Sequence, residues 1–233
     1  MDKGKLTLGL CILAGMVFLG LMIPRAASTF RSFERTVSVK GLCEKEVEAD
    51  KAIWPVCFKV MGNDLATLYA EIEQKNASVV KFLRDGGLQE AEITVAVPAV
   101  SDKYAQEYGN NDRAFRYVAT STITVCTSNV KGVLALMDNQ ASLIKMGIVP
   151  ISDWDSKPQF NFEGLNDIKP GMIEEATTNA REVAEKFAKD SGSRLGKIKD
   201  ASQGTFSIES RDSNTPYIKR VRIVTYVTYY LKG

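Results

Sequence analysis

The fold is decided by the stretch at residues 168–206, which reads IKPGMIEEATTNAREVAEKFAKDSGSRLGKIKDASQGTF. In its first half, apolar side chains recur every three or four positions, at Ile173, Ala176, Ala180, Val183, Ala184, Phe187 and Ala188. This spacing lines one face of an α-helix and not one face of a strand. Glutamate and lysine pairs four positions apart occupy the other side, which is typical of a solvated helix face. The pattern therefore predicts one long amphipathic helix.

Both ends of this helix are marked in the sequence. Pro170 suits the first helical turn, where a missing N–H group costs nothing, and Gly192 suits the position after the last turn. Leu195 and Gly196 then return the chain as a strand. Because alanine allows a helix to lie close to its partner, and because strands flank the helix, we predict that it covers a sheet. Packing of the alanines against a second helix is the alternative.

Composition limits what the protein can do. The chain has 233 residues, of which 45% are hydrophobic, and this is enough for a sizeable core. The net charge of +2 does not favour a nucleic-acid surface. The sequence contains no histidine, which removes the commonest general base, the usual zinc ligand and every Ser-His or Cys-His nucleophile pair. We identify no catalytic, cofactor-binding or metal-binding residues and expect no enzyme.

The amino terminus carries an apolar run. Residues 6–23 contain no charged side chain and follow two lysines. The run exceeds the core of an ordinary signal peptide and approaches the length of a minimal spanning helix. We therefore predict that residues 1–28 form a signal anchor, tethered through 6–23, and that residues 29–233 form a domain outside the cytoplasm. Cleavage after Ser28 is the alternative.

The remaining patterns predict strands that come in consecutive pairs between helices. In chain order they predict a strand from Phe33 to Val39, a strand from Ala52 to Val60, a helix from Asn63 or Asp64 to Gly86, a long hairpin with arms at 92–108 and 113–128, a helix at 129–145 and a last strand from Arg220 to Leu231. Pro55 lies inside the second strand and argues for an edge or a bulge there. The predicted class is α+β, with a mainly antiparallel sheet and helices packed on it.

The long hairpin and the last strand carry the candidate interaction surface. Its arms are long enough to project beyond the sheet, and turn residues lie between them at 109–112. The candidate residues are aromatic: Tyr104, Tyr108, Phe115, Tyr226 and Tyr230. An exposed contact surface is one interpretation of these aromatics. Core packing or cross-strand pairing is the other.

The predicted exported part contains three cysteines, Cys43, Cys57 and Cys126. Three thiols cannot all pair within one chain, so an oxidising compartment allows one internal disulfide at most. Cys57 and Cys126 can be small buried hydrophobic residues on strands. A Cys43–Cys57 disulfide across the first hairpin is a second possibility, and a reactive or intermolecular thiol is a third. No Cys-x-x-Cys motif is present.

The order of these elements resembles one known family. Phe162–Ile168, the long helix with its glycine turn, and Ala201–Gly204 are similar to the carboxy-terminal part of the SIMPL-domain family, also called DUF541. Thr36–Gly41 and Val47–Asp50 are similar to its first hairpin. The resemblance covers roughly residues 33–232. It implies a bacterial cell-envelope protein, oligomeric in some members, with no established enzymatic activity and loose associations with envelope and oxidative stress.

Taken together, these observations predict a non-enzymatic protein tethered at the bacterial inner membrane, with its domain in the periplasm. If the amino-terminal segment is cleaved, the domain is secreted to the periplasm. We expect it to act by self-association, as a homo-oligomer, or by partner binding, with no nucleic acid and no cofactor. A thiol-dependent redox or stress enzyme that uses an exported cysteine is the alternative. A binder of a small ligand is a third hypothesis, for which the sequence offers no convergent polar pocket.

Overall fold

The computed structural model describes residues 11–20, 22, 35–105, 114–151 and 156–233. The chain forms two compact units. The first unit contains the described residues up to 45, together with 167–207 and 221–233. The second unit contains the described residues of 46–166, together with 208–220. The predicted boundary between residues 28 and 29 lies outside the described residues.

Ten strands and four helices are labelled here in chain order. They are β1 (Thr36–Glu48), β2 (Lys51–Gly62), α1 (Leu65–Asp85), β3 (Ile93–Val95), β4 (Ala99–Asp102), β5 (Tyr117–Thr127), α2 (Val130–Asp138), α3 (Ala141–Lys145), β6 (Pro150–Ile151), β7 (Gln159–Asn161), α4 (Leu165–Asp190), β8 (Arg194–Gln203), β9 (Ser207–Ser210) and β10 (Ile218–Lys232). A short 3₁₀ turn covers Glu90–Glu92. The α+β class with antiparallel pairing is confirmed, but the strands form two sheets.

The first unit is a sheet with the strand order β1-β10-β8, and α4 covers one face of it. The buried side of α4 is a row of residues four apart: Met172, Ala176, Ala180, Ala184 and Ala188. Ala180 and Ala184 pack with Val39, Val227 and Tyr229 of the sheet. Gly192, at a φ of 67°, ends the helix, and the amide of Ser193 reaches back to the carbonyl of Ala188 at 2.8 Å. The predicted helix on a sheet is therefore confirmed.

Two details of this helix differ from the prediction. Val183 and Phe187 are 37% and 57% exposed, although their spacing placed them on the buried face. A row of residues four apart turns slowly around the helix, so near its end the buried side has moved away from these two positions. The helix also begins at Leu165, which puts Pro170 inside it and not in its first turn.

The backbones of β1 and α4 approach each other closely at Gly41. An added Cβ atom on Gly41 would lie 1.8 Å from the carbonyl oxygen of Ala176, so only glycine fits there. Beside it, the side-chain amide of Asn179 donates to the carbonyl of Leu42 at 2.8 Å. The two backbones meet without a side chain between them, which explains why position 41 of β1 is a glycine.

One outermost strand of this sheet is β8. It pairs with β10 on one side, and the pairing skips a residue twice, between Thr228 and Tyr229 and between Tyr229 and Leu231. Lys199 is the extra residue at the first skip, and Lys197 lies within the second. Among the strands described, β8 has no partner on its other side.

The second unit is built on the pair of β2 and β5. They run antiparallel from the pair Ala52–Thr127 to the pair Gly62–Tyr117. Helices α1 and α2 cover one face, and Ile72 and Val133 are among their fully buried side chains. On the other side of β2, β7 pairs with residues 51–53 and β6 with residues 57–58.

Pro55 fits this arrangement for a reason that differs from the prediction. It lies in a strand with partners on both sides, and not at an edge. Among the described residues, neither β6 nor β7 pairs with residues 54–56. Proline has no N–H group to donate to such a partner, which is compatible with this part of β2.

The long hairpin exists, since β3 and β4 both pair antiparallel with β5. Its first arm is interrupted: Ala96 bonds to Thr122, while Ala99 lies opposite Thr120, so the arm carries one extra residue beside Pro98. The hairpin does not project in the part of it that the structure describes, because β2 pairs with β5 over its whole length. Its tip, at 106–113, lies outside the described residues.

Two further predictions concern the helix at 129–145 and the amino-terminal anchor. The helix predicted at 129–145 is two helices, α2 and α3, and Ile144, predicted to face inward, is 57% exposed. Residues 11–20 and 22 are helical, but the other residues of the predicted anchor lie outside the described part. No helix within that part combines the length and apolarity needed to cross a membrane.

Candidate functional site

Two of the predicted aromatic residues, Tyr226 and Tyr230, lie on the face of the first sheet opposite α4. On this outer face, β1 and β10 pair in rows. The rows join the Ser38 and Thr228 hydroxyls at 2.9 Å, the Lys40 ammonium and the Tyr226 ring at 5.1 Å, and the Glu44 carboxylate and the Arg222 guanidinium at 4.0 Å. In each row, two side chains on neighbouring strands attract each other, which stabilises the pairing of the strands. We call this surface the outer face: Ser38, Lys40, Leu42, Glu44, Arg222, Val224, Tyr226, Thr228 and Tyr230.

Tyr226 and Tyr230 give the outer face its aromatic character. Tyr226 is 44% exposed, and Leu42 on the next row is 43% exposed. The Lys199 ammonium lies 5.7 Å from the centre of the Tyr230 ring. The Lys40 ammonium has the same relation to the Tyr226 ring, at 5.1 Å. A cation over a ring face is attracted to it and restricts its movement. The outer face therefore presents fixed aromatic rings to the solvent.

The other predicted aromatics lie in the second unit, at the base of the hairpin. Tyr104 is 48% exposed and Phe115 is 46% exposed. Near them, Arg116 donates two hydrogen bonds to Asp102, at 2.8 and 3.1 Å, and its guanidinium lies 5.9 Å from the centre of the Tyr104 ring. These bonds hold the pKa of the Asp102 carboxyl below its usual range.

The predicted interaction residues are thus divided between two surfaces. Tyr226 and Tyr230 share the outer face, and Tyr104 and Phe115 share the hairpin base. Tyr108 lies outside the described residues. The sequence-based reading missed Lys40 and Arg116, the cations that hold the rings. Lys40 meets Tyr226 only through strand pairing, and Arg116 meets Asp102 only through the hairpin, so no local motif marks either one.

Cys43 and Cys57 are buried, and Cys126 is exposed. All three are free thiols, so the second alternative, a Cys43–Cys57 disulfide, is not formed. Cys57 lies 3.3 Å from the hydroxyl of Thr122 across the β2–β5 pair. Cys126 was predicted to be buried, but it lies near the end of β5, on the side of the sheet that α1 and α2 leave uncovered.

Cys43 lies next to α4 in a polar setting. Its pKa is raised, first by burial and then by its hydrogen bond to the Glu175 carboxylate. Lys45 pairs with the same carboxylate at 3.5 Å. Because a raised pKa keeps the thiol protonated and the thiolate is the nucleophile, Cys43 is chemically quiet at neutral pH. A redox role for an exported cysteine would therefore fall to Cys126.

Alkylation tests this ranking of the cysteines. In the native chain we expect iodoacetamide to label Cys126 at least about tenfold faster than Cys43 or Cys57, because two of the thiols are buried. Mass spectrometry of peptides after timed exposure measures the three rates. In denaturant the three should react alike, which serves as the control. Equal labelling of Cys43 and Cys126 in the native chain would contradict the assignment.

The second unit also contains a buried lysine. Lys219 is 8% exposed, its ammonium donates to the Ser210 hydroxyl at 2.9 Å, and burial lowers its pKa. A serine beside a lysine of lowered pKa can act as a nucleophile in some enzymes. Here the Ser210 hydroxyl also donates to the carbonyl oxygen of Pro216 at 3.4 Å, so the two bonds join β9 to β10 and to the segment before it. The pair thus stabilises the turn between these strands.

Metal chemistry has no obvious site in the part of the chain that is described. Within it, no group of three or more Cys, Asp and Glu side chains is arranged to hold a metal ion.

In a comparison with known protein families, one family model matches most of the chain. The family model SIMPL, described as "Protein of unknown function (DUF541)", matches residues 37–223. The matched segment includes Gly41 and the alanine row of α4, the two parts of the close contact between β1 and α4. A search of the curated proteins finds no match.

Proposed function

Because the chain belongs to the SIMPL (DUF541) family, whose function is unknown, we propose its role from its own surface. The protein is a non-enzymatic binding protein of the bacterial envelope that acts by self-association or by holding a partner. The binding surface is the outer face of the first sheet. The place of action, with the domain in the periplasm, rests on the uncharged run at residues 6–23 and on the family resemblance.

The observation that supports this proposal is the environment of Tyr226. This residue is 44% exposed, and the Lys40 ammonium lies over its ring, 5.1 Å from the ring centre. Tyrosine is enriched at the energetic centres of interfaces, because its ring offers a large contact area and loses little rotamer freedom on binding. A ring that is already held by a cation loses less still. Leu42 and Val224, on the next row, add apolar area beside it.

Substitution of Tyr226 tests the outer face. We expect Tyr226→Glu to raise the dissociation constant for self-association at least about tenfold, since it places a charge at the centre of the contact. Tyr69→Glu is the matched control, because Tyr69 is 43% exposed and lies on α1 in the second unit. Sedimentation of the full chain in a mild detergent, over a range of concentrations, measures both variants.

Two results would count against the proposal. If the wild-type chain stayed monomeric at every concentration, self-association would be wrong, and the outer face could act only by binding a different partner. Wild-type oligomers that Tyr226→Glu and Tyr69→Glu weaken equally would remove the outer face as the contact.

A further inference from the structure

The second unit contains an open cleft with a volume of about 540 Å³. Three parts of the chain form its walls: α2, the segment that leads into β7, and the loop between β9 and β10. This volume falls within the range of sites that bind small molecules, roughly 300–1,000 Å³. The residues come from positions 134–138, 158–160 and 213–217, so no single stretch of sequence indicates the cleft.

The inner walls of the cleft are apolar and belong to the hydrophobic core. Phe160 is 4% exposed, and the half-buried Met137 and Tyr217 pack against the core beside it. The rings of Phe160 and Tyr217 meet edge to face, with centres 6.1 Å apart and planes at 72°. Because these groups are fixed by the core, the cleft offers a preformed apolar surface to a flat or compact ligand.

The loop wall is held by one carboxylate. Asp212 accepts hydrogen bonds from the amides of Asn214 at 2.8 Å and Thr215 at 2.7 Å, from the guanidinium of Arg211 at 3.0 Å and from the hydroxyl of Thr215. These bonds hold the pKa of Asp212 far below its usual range, so it stays charged at neutral pH. Arg211 in turn lies 3.4 Å from the Glu46 carboxylate. The loop is therefore ordered before any ligand arrives, which lowers the cost of binding.

The charge of the cleft comes from Asp138. Among the described residues that line the cleft, it is the one with a charged side chain. Within the described residues it forms no ion pair or hydrogen bond, and it is exposed to solvent. Ser213 and Asn214, on the opposite wall, supply neutral polar groups. An unpaired carboxylate at the rim of an apolar cleft favours a cation and disfavours an anion of the same shape.

We propose that this cleft binds a small organic cation: an amine joined to an aromatic or aliphatic ring. The ring lies against Met137, Phe160 and Tyr217, and the ammonium group pairs with Asp138. The cleft lies wholly in the second unit, and the outer face lies in the first. The inference therefore does not depend on the proposed self-association, and either can fail alone.

The test uses 2-phenylethylamine as the probe and 3-phenylpropionate as an anion with a similar ring and chain. We expect the full chain to bind the amine with a Kd on the order of 1 mM, which is ordinary for a fragment of this size, and to bind the anion at least about tenfold more weakly. NMR titration of the full chain measures both constants, and saturation transfer identifies the ligand protons in contact.

Variants locate the binding. Asp138→Asn should weaken amine binding about threefold to fivefold, as expected for loss of an exposed ion pair, and should narrow the gap between amine and anion. Ser213→Trp, at an exposed position, should block the cleft and abolish binding. Asp190→Asn removes an equal charge on α4 and should change neither constant. Absence of amine binding, equal binding of amine and anion, or amine binding that survives Ser213→Trp would each overturn the proposal.

Discussion

Replacing Gly41 by alanine is expected to lower the free energy of unfolding by about 3 kcal/mol, the upper end of the usual cost of overpacking. The new Cβ atom would lie 1.8 Å from the carbonyl oxygen of Ala176 and 2.8 Å from the amide nitrogen of Ala180. Both atoms belong to the backbone of α4, so no side-chain rotation relieves the clash. The helix must move away from β1, which breaks the bond from Asn179 to Leu42. Urea denaturation measures the loss.

Gly171→Ala is the matched control for this substitution. Gly171 lies in the same helix, and an added Cβ atom there would meet nothing within 4 Å. Because alanine favours the helix over glycine, this variant should gain up to about 1 kcal/mol. If both variants lost the same stability, the effect would belong to glycine replacement in general and the close contact at Gly41 would be wrong.

The substitution Ala180→Leu is expected to cost between about 1 and 3 kcal/mol, since it forces a larger side chain into a filled contact. Ala180 is fully buried and packs in the cluster of Val39, Val227 and Tyr229. The melting temperature should fall accordingly. Thr178→Leu introduces the same side chain at an exposed position of the same helix and should leave the melting temperature nearly unchanged. An unchanged melting temperature in Ala180→Leu would mean that this face of α4 is not packed as described.

Much of the fold follows from local patterns in the sequence. The alanine spacing identifies α4 and the side that it buries, and Gly192 marks where it ends, because each depends on residues within one or two turns. The misplacement of Val183 and Phe187 has a different source. Their exposure depends on how the helix crosses the sheet, and that angle is set by partners far away in the chain. The apolar periodicity of one helix does not determine this crossing angle.

Pairing between strands explains most of the other differences. The hairpin arms were predicted to project because their length is visible in the sequence, whereas the matching length of β2 as a partner becomes evident only in the fold. That Pro55 lies inside a strand with partners on both sides likewise becomes evident only in the fold. Strand register is a property of two segments together, so periodicity in one of them leaves it open.

The candidate sites depend even more on the tertiary structure. Tyr226 and Tyr230 were recognisable as aromatics on one face of a strand, but the pairing of Lys40 with Tyr226 requires the register of β1 and β10. The cleft requires three segments, of which Asp138 and Tyr217 stand far apart in the sequence. Each residue there is ordinary for its own element, which is why the sequence showed no convergent pocket.

The edge strand β8 has a consequence for how copies of this chain can accumulate. An exposed, regular edge invites another strand to add to it, and repeated addition produces filaments without limit. The two skipped residues in β8 disturb the regular spacing of its backbone groups, and Lys197 and Lys199 bring positive charge to the same places. Two copies brought edge to edge there would meet both misfit and repulsion. The β8 edge is therefore a poor template for a strand from another copy of the chain.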